Sequence, residues 1–305
     1  MISIDRSELD TGDLPSVSVI IPAGRGDAIS QHLKSVLSQD YQKDKFEVII
    51  VSHHTFDPLP DVSFVKTDQM YYPGKMRNIG ASHAKGEHLL FLDDDCEPVP
   101  NWINANVSLL KNKDIGAVSG IVCSGENTLM HKVYDFSSFE LCQSDTPCQR
   151  VLCTATFGIR RDMFESVGGF DETLRVVEDN DLCLRLNIKG LITLYHPDIK
   201  VFHYHDRVSF LSIIRSMFFW GYHANVILTD RYPSRSFSSR IMRRFRHPAY
   251  YMIFSFPWAI MNTIFCLKRN FREHRIVALL LPFIFITKLS FHLGVVYALW
   301  GKNDS

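Results

Sequence analysis

Three consecutive acids stand inside the stretch His88 to Pro98, HLLFLDDDCEP. Clustered carboxylates suit a hard divalent cation such as Mg²⁺ or Mn²⁺, which takes oxygen ligands. The apolar run before Asp93 reads as a buried strand, and open α/β sheets bind ligands at the C-terminal ends of their strands. Side chains one residue apart on an extended chain point to the same side. Asp93 and Asp95 are therefore expected to form a metal and nucleotide clamp, with Asp94 facing away or bracing it. The alternative, a solvated acidic turn, is disfavoured by that apolar approach.

Further chemistry-bearing residues lie on both sides of the triplet. Lys75 and Arg77 fall at the start of a helical stretch after Pro73 and Gly74, where they can face a phosphate or an acidic side chain. Glu178, Asp179 and Asp181 occupy the first turn of a helix whose later residues, Leu182, Cys183, Leu184 and Leu186, are apolar. The helix dipole favours carboxylates at that end. His203 and His205, two apart at a strand end, share a face and read either as metal ligands or as a solvated, hydrogen-bonded pair. Cys142, Cys148 and Cys153 lack a CxxC pair and read as ordinary core or loop residues rather than zinc ligands.

The elements needed to position these groups follow in order. Ser16 to Pro22 is a β-branched strand, Ile29 to Leu37 an amphipathic helix and Phe46 to Val51 a second buried strand, which together make a right-handed βαβ unit. Val62 to Lys66 reads as a short strand, Met76 to Ala84 and Trp102 to Leu110 as helices, and Ala117 to Val122 and Leu152 to Arg160 as strands. A short helix from Arg161 to Val167, stopped by Gly168 and Gly169, precedes the acidic helix. Ile192 to Tyr195 and Lys200 to Tyr204 then complete the sheet.

The chain of 305 residues has 33 basic and 33 acidic side chains, a balance that argues against nucleic acid as a partner. Seven cysteines at irregular spacing do not make a disulfide framework, and a reduced cytosolic setting fits them. No apolar stretch of signal-peptide type opens the sequence.

Taken together, SVSVIIP, GKMRNIGASHAKGEHLLFLDDD, FGIRRDMFESVGGFDE, VEDNDLCLRL and VFHYHDRVS resemble, in that order, family 2 glycosyltransferases of the GT-A fold, over residues 16 to 225. The resemblance implies an α/β chain with a Rossmann-like mixed sheet flanked by helices, and inverting, nucleotide-sugar-dependent glycosyl transfer with a divalent metal, Mg or Mn, as cofactor. It makes the triplet the family's DXD motif, with Asp93 at the ribose or metal and Asp95 on the metal, joined by His203. Glu178 and Asp179 match its ED pair, with Asp179 as base. Arg77 and Asn78 match its RN pair beside the nucleotide. The nucleotide-sugar site it implies comprises Pro22, Ala23, Ser52, His53, Lys75, Arg77, Asn78, Asp93 and Asp94. The partners implied are a nucleotide-diphosphate sugar donor, a carbohydrate or lipid-linked acceptor and a membrane.

One departure bears on the donor. The second strand ends Val51, Ser52, His53, His54, Thr55, where the family carries VDDGS, so a hydroxyl or imidazole replaces the aspartate that reads the nucleotide. A non-catalytic sugar-nucleotide or glycan-binding module would tolerate that loss, but the retained Glu178, Asp179 and DXD triplet speak for catalysis. Glu97 stands where an aspartyl phosphatase would place Thr or Val, and PAGRG lacks the closing lysine of a nucleotidyltransferase signature.

The sequence divides into a tail (1–15), a catalytic domain (16–230), a basic linker (231–247) and a hydrophobic, membrane-associated tail (248–305). Ala249 to Leu267 and Ile276 to Trp300 approach membrane-spanning length. Arg231, Arg235, Arg240, Arg243, Arg244 and Arg246, without an acid among them, suit an anionic cytoplasmic surface and place the enzyme on the cytoplasmic face of the cell membrane. The connector, with Lys268, Arg269, Arg272 and Arg275, opposes a spanning hairpin by the positive-inside rule. One spanning helix with an interfacial partner, a true hairpin and a buried helical pair all remain open. A chain ended near Arg231 is expected to be soluble, since every motif lies before that point.

Overall fold

The computed structural model describes residues 14–24, 28–231, 247–272 and 274–301. The chain forms two compact units, Met1–Gly125 with Asp145–Tyr204, and Glu126–Ser144 with His205–Ser305.

The first unit is built on a mixed sheet. Its strands are β1 (Val17–Pro22), β2 (Phe46–Ser52), β3 (Val62–Lys66), β4 (His88–Leu92), β5 (Cys96–Pro98), β6 (Ile115–Ser124), β7 (Cys148–Gln149), β8 (Thr156–Arg160) and β9 (Ile192–His203). Helices α1 (Ala28–Leu37), α2 (Pro73–His83), α3 (Trp102–Leu110), α5 (Arg161–Ser166) and α6 (Glu178–Ile188) belong to the same unit. The strand order is β3-β2-β1-β4-β8-β6-β9-β5, with β7 beside β9. The β3-β2-β1-β4 part is parallel, whereas β8 runs antiparallel to both β4 and β6. All five residues of β4 are buried, and from Leu89 to Leu92 they form the apolar run that a central strand requires. Burying each such large aliphatic or aromatic side chain favours folding by about 1.5–3 kcal/mol.

Helix α2 approaches the sheet closely because Gly80 has no side chain. A Cβ there would lie 2.4 Å from Ile20 Cγ2 and 3.0 Å from Val51 Cγ2. Proline at its first turn, where the free N–H groups lie, sets the start of the helix that carries Arg77 and Asn78.

Several elements differ from the sequence expectation. β8 begins at Thr156 rather than Leu152, leaving Leu152–Ala155 as a loop. The two strands expected on either side of Pro197 are one strand, β9. Proline lacks an N–H, and Pro197 is tolerated because on one flank β9 pairs with β7 at Leu194 and Tyr195 and with β5 only from Val201 onward. On the other flank the register to β6 shifts between Ser119 and Ile121, and a Cβ on Gly120 would lie 1.9 Å from the Ile199 carbonyl oxygen. The acidic triplet is not an extended strand end. β4 stops at Leu92, and Cys96 N donates to Asp93 O at 3.1 Å, closing a turn over the three aspartates.

The second unit is helical, with α4 (Leu129–Ser138), α7 (Phe210–Arg231), α8 (Pro248–Asn270) and α9 (Val277–Gly301). The sequence reading assigned no element between Val122 and Leu152, where α4 lies. Thr128 caps it, its side chain accepting from His131 N. α8 and α9 are each long and apolar enough to cross a membrane. Their polar residues turn inward: Thr287 Oγ1 lies 2.7 Å from Ser137 Oγ, Lys288 Nζ lies 2.9 Å from Glu140 Oε2, and His292 lies 3.2 Å from the Tyr251 hydroxyl. Of the basic run from Arg231 to Arg246, residues 232–246 lie outside the described residues.

Candidate active site

The turn after β4 brings each aspartate to a different partner. Asp93 Oδ1 accepts from Arg77 Nη2 at 2.8 Å. Asp94 Oδ2 accepts from Gly24 N at 2.9 Å, which ties the triplet to the end of β1. Asp95 Oδ2 lies 3.0 Å from His203 Nε2, both side chains at most 7% exposed. A turn aims successive carboxylates in different directions, so the same-side clamp argued from strand alternation does not form.

Arg77 is the hub. Its other arm, Nη1, donates to Glu178 Oε1 at 2.5 Å, so one buried guanidinium joins the β4 turn to the first residue of α6. Burial by itself would lower the Arg77 pKa, but the charges of Asp93 and Glu178 outweigh it and the net direction is upward. Asn78, next on α2, is engaged with the main chain of Phe170: its Nδ2 donates to the carbonyl at 2.8 Å and its Oδ1 accepts from the N–H at 2.9 Å. Asn78 thus pins the Gly168–Gly169 turn, whose glycines both have positive φ, to the helix. Lys75 lies at the rim, 4.0 Å from Glu172 and over the Tyr71 ring.

At the start of α6, Val177 adopts a left-handed φ of 64°. A β-branched residue there is strained by about 1–3 kcal/mol. Asp179 follows, with Oδ1 accepting from Asn180 N at 2.7 Å and Oδ2 from Thr154 N at 3.4 Å. Burial, and then the charge of Glu178, push its carboxyl up to about 7. Asp181, also expected in this acidic turn, is instead paired with Arg185 one turn on.

The end of β2 carries the departure noted in the sequence. Ser52 Oγ donates to Ala23 O at 2.7 Å and accepts from His54 N at 3.1 Å, while Ala23 N donates to Val51 O. The polar groups of Ser52 and Ala23 therefore join the ends of β1 and β2, directly after Pro22. His53 lies against His54, with ring centroids 3.8 Å apart and the rings tilted by 45°, and its Nδ1 is buried without a hydrogen-bond partner.

The histidine pair near the end of β9 separates. His203 is the last residue of that strand, whereas His205 belongs to the helical unit, where it stacks on His131 at 4.7 Å and meets the tilted ring of Tyr134 at 4.2 Å. The shared face assumed that the strand continued to Tyr204, and β9 stops one residue earlier. Asp95, Cys96 and His203 offer ligand atoms all within 4.8 Å of one another. Adjacent ligands of an octahedral ion at about 2.1 Å stand about 3 Å apart. The Asp95–His203 separation of 3.0 Å has that dimension, so this oxygen and imidazole pair fits Mg²⁺ or Mn²⁺.

Two sets of contacts were not legible in the sequence. Thr154 reaches Asp179 through its backbone N–H, which no side-chain pattern reports. His32 lies 3.0 Å from Glu97 and stacks on Tyr204, pairings between residues more than 60 positions apart.

The chain is similar to known proteins. Residues 18–168 match the family described as Glycosyl transferase family 2. The O-antigen biosynthesis protein RfbC of Myxococcus xanthus is 30% identical over 237 residues, which are 68% of this chain and 18% of that protein. The glycosyltransferase AglE of Haloferax volcanii is 28% identical over 179 residues, 54% of this chain and 59% of that protein. The chain thus spans less than two thirds of either relative. Among solved structures, the mannosyltransferase PcManGT of Pyrobaculum calidifontis, in complex with GDP-Man and Mn²⁺, is similar with a TM-score of 0.65. That match is 18% identical and covers 95% of this chain and 89% of that one. GalNAc-T7 with UDP, GalNAc and Mn²⁺ is similar with a TM-score of 0.52 at 17% identity, over 73% of this chain and 52% of that one.

Proposed function

Because this chain belongs to glycosyl transferase family 2 and has the GT-A fold, we propose that it transfers a sugar from a nucleotide-diphosphate donor to an acceptor hydroxyl, inverting the sugar in one in-line displacement. The observation that carries this reading is the buried Arg77 fork, which holds Asp93 of the triplet and Glu178 at the start of α6 in one cluster. Donor-holding and base carboxylates are thereby fixed relative to each other before substrate arrives, which lowers the cost of orienting the reactants.

Asp179 is the base in this reading. Its raised pKa suits proton abstraction near neutral pH, and Glu178, bonded to Arg77, holds the helix start in place. A single displacement needs one base carboxylate and no covalent sugar intermediate. Asp95 and His203 would hold the metal, with Asp93 toward the donor. The ion would neutralise charge on the departing diphosphate. His53, whose buried Nδ1 is unengaged, takes over recognition of the nucleotide from the missing aspartate, with Pro22, Ala23, Ser52 and Asp94 shaping the floor and Lys75 the rim.

The acceptor is a glycan or a lipid-linked saccharide. The relative named for O-antigen biosynthesis and the two apolar C-terminal helices support an acceptor met at a membrane, on the cytoplasmic face to which the arginine run points.

A panel of nucleotide sugars, assayed with the detergent-solubilised chain for release of nucleoside diphosphate, tests the proposal. Release from a restricted set of donors is expected, dependent on Mn²⁺ or Mg²⁺ and lost in chelator. Asp95→Ala should abolish it while the circular-dichroism spectrum is retained. Undiminished turnover in chelator would remove the metal from the mechanism, and donor binding without any transfer would make the chain a binding module.

A further inference from the structure

We infer that the helical unit is monotopic: it enters one leaflet from the side on which the catalytic unit lies, and neither α8 nor α9 crosses the bilayer. This rests on the membrane association proposed above and concerns its topology.

The connector between α8 and α9 is tethered. His274 Nε2 lies 3.2 Å from the Gln143 carbonyl oxygen, and Arg269 Nη1 lies 3.4 Å from Glu140 Oε1. Gln143 precedes Asp145, where the chain returns to the catalytic unit, by two residues, a reach of at most about 7 Å. A spanning hairpin would hold this connector across about 30 Å of hydrocarbon. The tether therefore excludes it.

A single span by α9 meets a second obstacle. α7 and α9 run parallel: Phe210 meets Phe283, Phe218 O closely approaches Gly294, and Tyr222 meets Tyr297. α8 runs the other way, with Tyr251 packed on Val295 and Val296. The end of α7, the start of α8 and the end of α9 thus lie at one end of the bundle. If α9 crossed, α7 would cross beside it, and the segment joining α7 to α8, with Arg235, Arg240, Arg243, Arg244 and Arg246, would be on the far side. That contradicts the positive-inside rule.

The outer face of α8 suits one leaflet instead. Ile253, Phe256, Ile260 and Ile264 form a stripe, each more than 40% exposed. Exposed Lys268 and Arg272 follow at its end, positioned for anionic headgroups. The partner surface is therefore the acyl region of a leaflet containing acidic lipid.

The test introduces Lys111→Cys, Arg272→Cys and Gly301→Cys, one at a time, into the full chain expressed in a bacterium. Lys111 is an exposed residue of the catalytic unit, and serves as the reference side. Membrane-impermeant maleimide is applied to spheroplasts and to inverted inner-membrane vesicles, the labelled peptide is identified by mass spectrometry, and flotation checks membrane association. All three positions should share one labelling pattern. Labelling of Arg272→Cys from the side opposite Lys111→Cys would establish a hairpin, and opposite labelling of Gly301→Cys alone would establish that α9 crosses the bilayer; either overturns the inference. Failure of the chain to float would overturn the membrane association itself, and with it this topology, while leaving the transferase reading intact.

Discussion

At the residue scale the proposed chemistry turns on Arg77 and Asp179. Replacing Arg77 leaves Glu178 buried beside Asp93 with no cation between them, and removal of one partner of a buried ion pair costs about 3–5 kcal/mol. Arg77→Met should therefore lower the unfolding midpoint markedly. Arg77→Lys should recover only part of the loss, because an ammonium lacks the planar fork that meets two carboxylates; thermal unfolding of the two variants measures this. Asp179→Asn keeps the shape but cannot take a proton, so kcat should fall by about 10²–10⁴ with the donor dissociation constant little changed. Loss of donor affinity with kcat preserved would make Asp179 a donor contact instead. With its carboxyl pushed up to about 7, Asp179 is protonated below that value and becomes a base above it, so kcat/KM should climb as pH rises through about 7. The effect on stability has the opposite sign. From its ordinary value of 3.8 to about 7 the folded chain binds a proton that the unfolded chain releases, so this group's contribution falls as pH rises through that window.

Among the elements, α2 is the most constrained, since Gly80 is what lets it carry Arg77 against the strand ends. In a helix interior, alanine is ordinarily better than glycine by about 0.5–1 kcal/mol. Here the added Cβ would meet the β-branched Ile20 at 2.4 Å, and overpacking of a filled core costs about 1–3 kcal/mol. Gly80→Ala should therefore be net destabilising, and should weaken donor binding by tilting α2. Unfolding curves paired with donor titrations check it, and a gain in stability would show that the sheet yields at Ile20. α6 is constrained differently: the left-handed turn at Val177 directly precedes the carboxylates, so backbone strain is borne beside Asp179, the base proposed above.

At the scale of the whole molecule, the helical unit changes what truncation should do. The sequence reading expects a chain ended near Arg231 to be soluble, because the sheet is complete by then. The structure groups residues 126–144 and 205–305 in one unit, with Gly221 of α7 close against the Phe291 main chain of α9 and Ser137 of α4 bonded to Thr287. Ending at Arg231 removes α8 and α9 and exposes those faces at about 25 cal/mol per Å² of apolar surface. The truncated chain should therefore aggregate without detergent, as size-exclusion chromatography would show; a monodisperse product would mean that α4 and α7 pack adequately without the other two helices.

Local composition determined much of this protein. Unbroken apolar runs can be buried only as central strands, so β1, β2 and β4 were legible, as were the acidic triplet after β4, the carboxylates opening α6 and the two long apolar helices. Tertiary structure decided what depends on pairings between distant residues. It turned the triplet so that its three carboxylates face Arg77, Gly24 and His203, continued β9 through Pro197 where a flank was unpaired, and divided His203 from His205 between two units. It also carried α4, to which the sequence reading assigned no element, into the helical unit. Periodicity reports which face of an element is buried, but the partner on that face is set by packing across the chain, and a hydrogen bond such as that from Thr154 N to Asp179 leaves no trace in side-chain pattern.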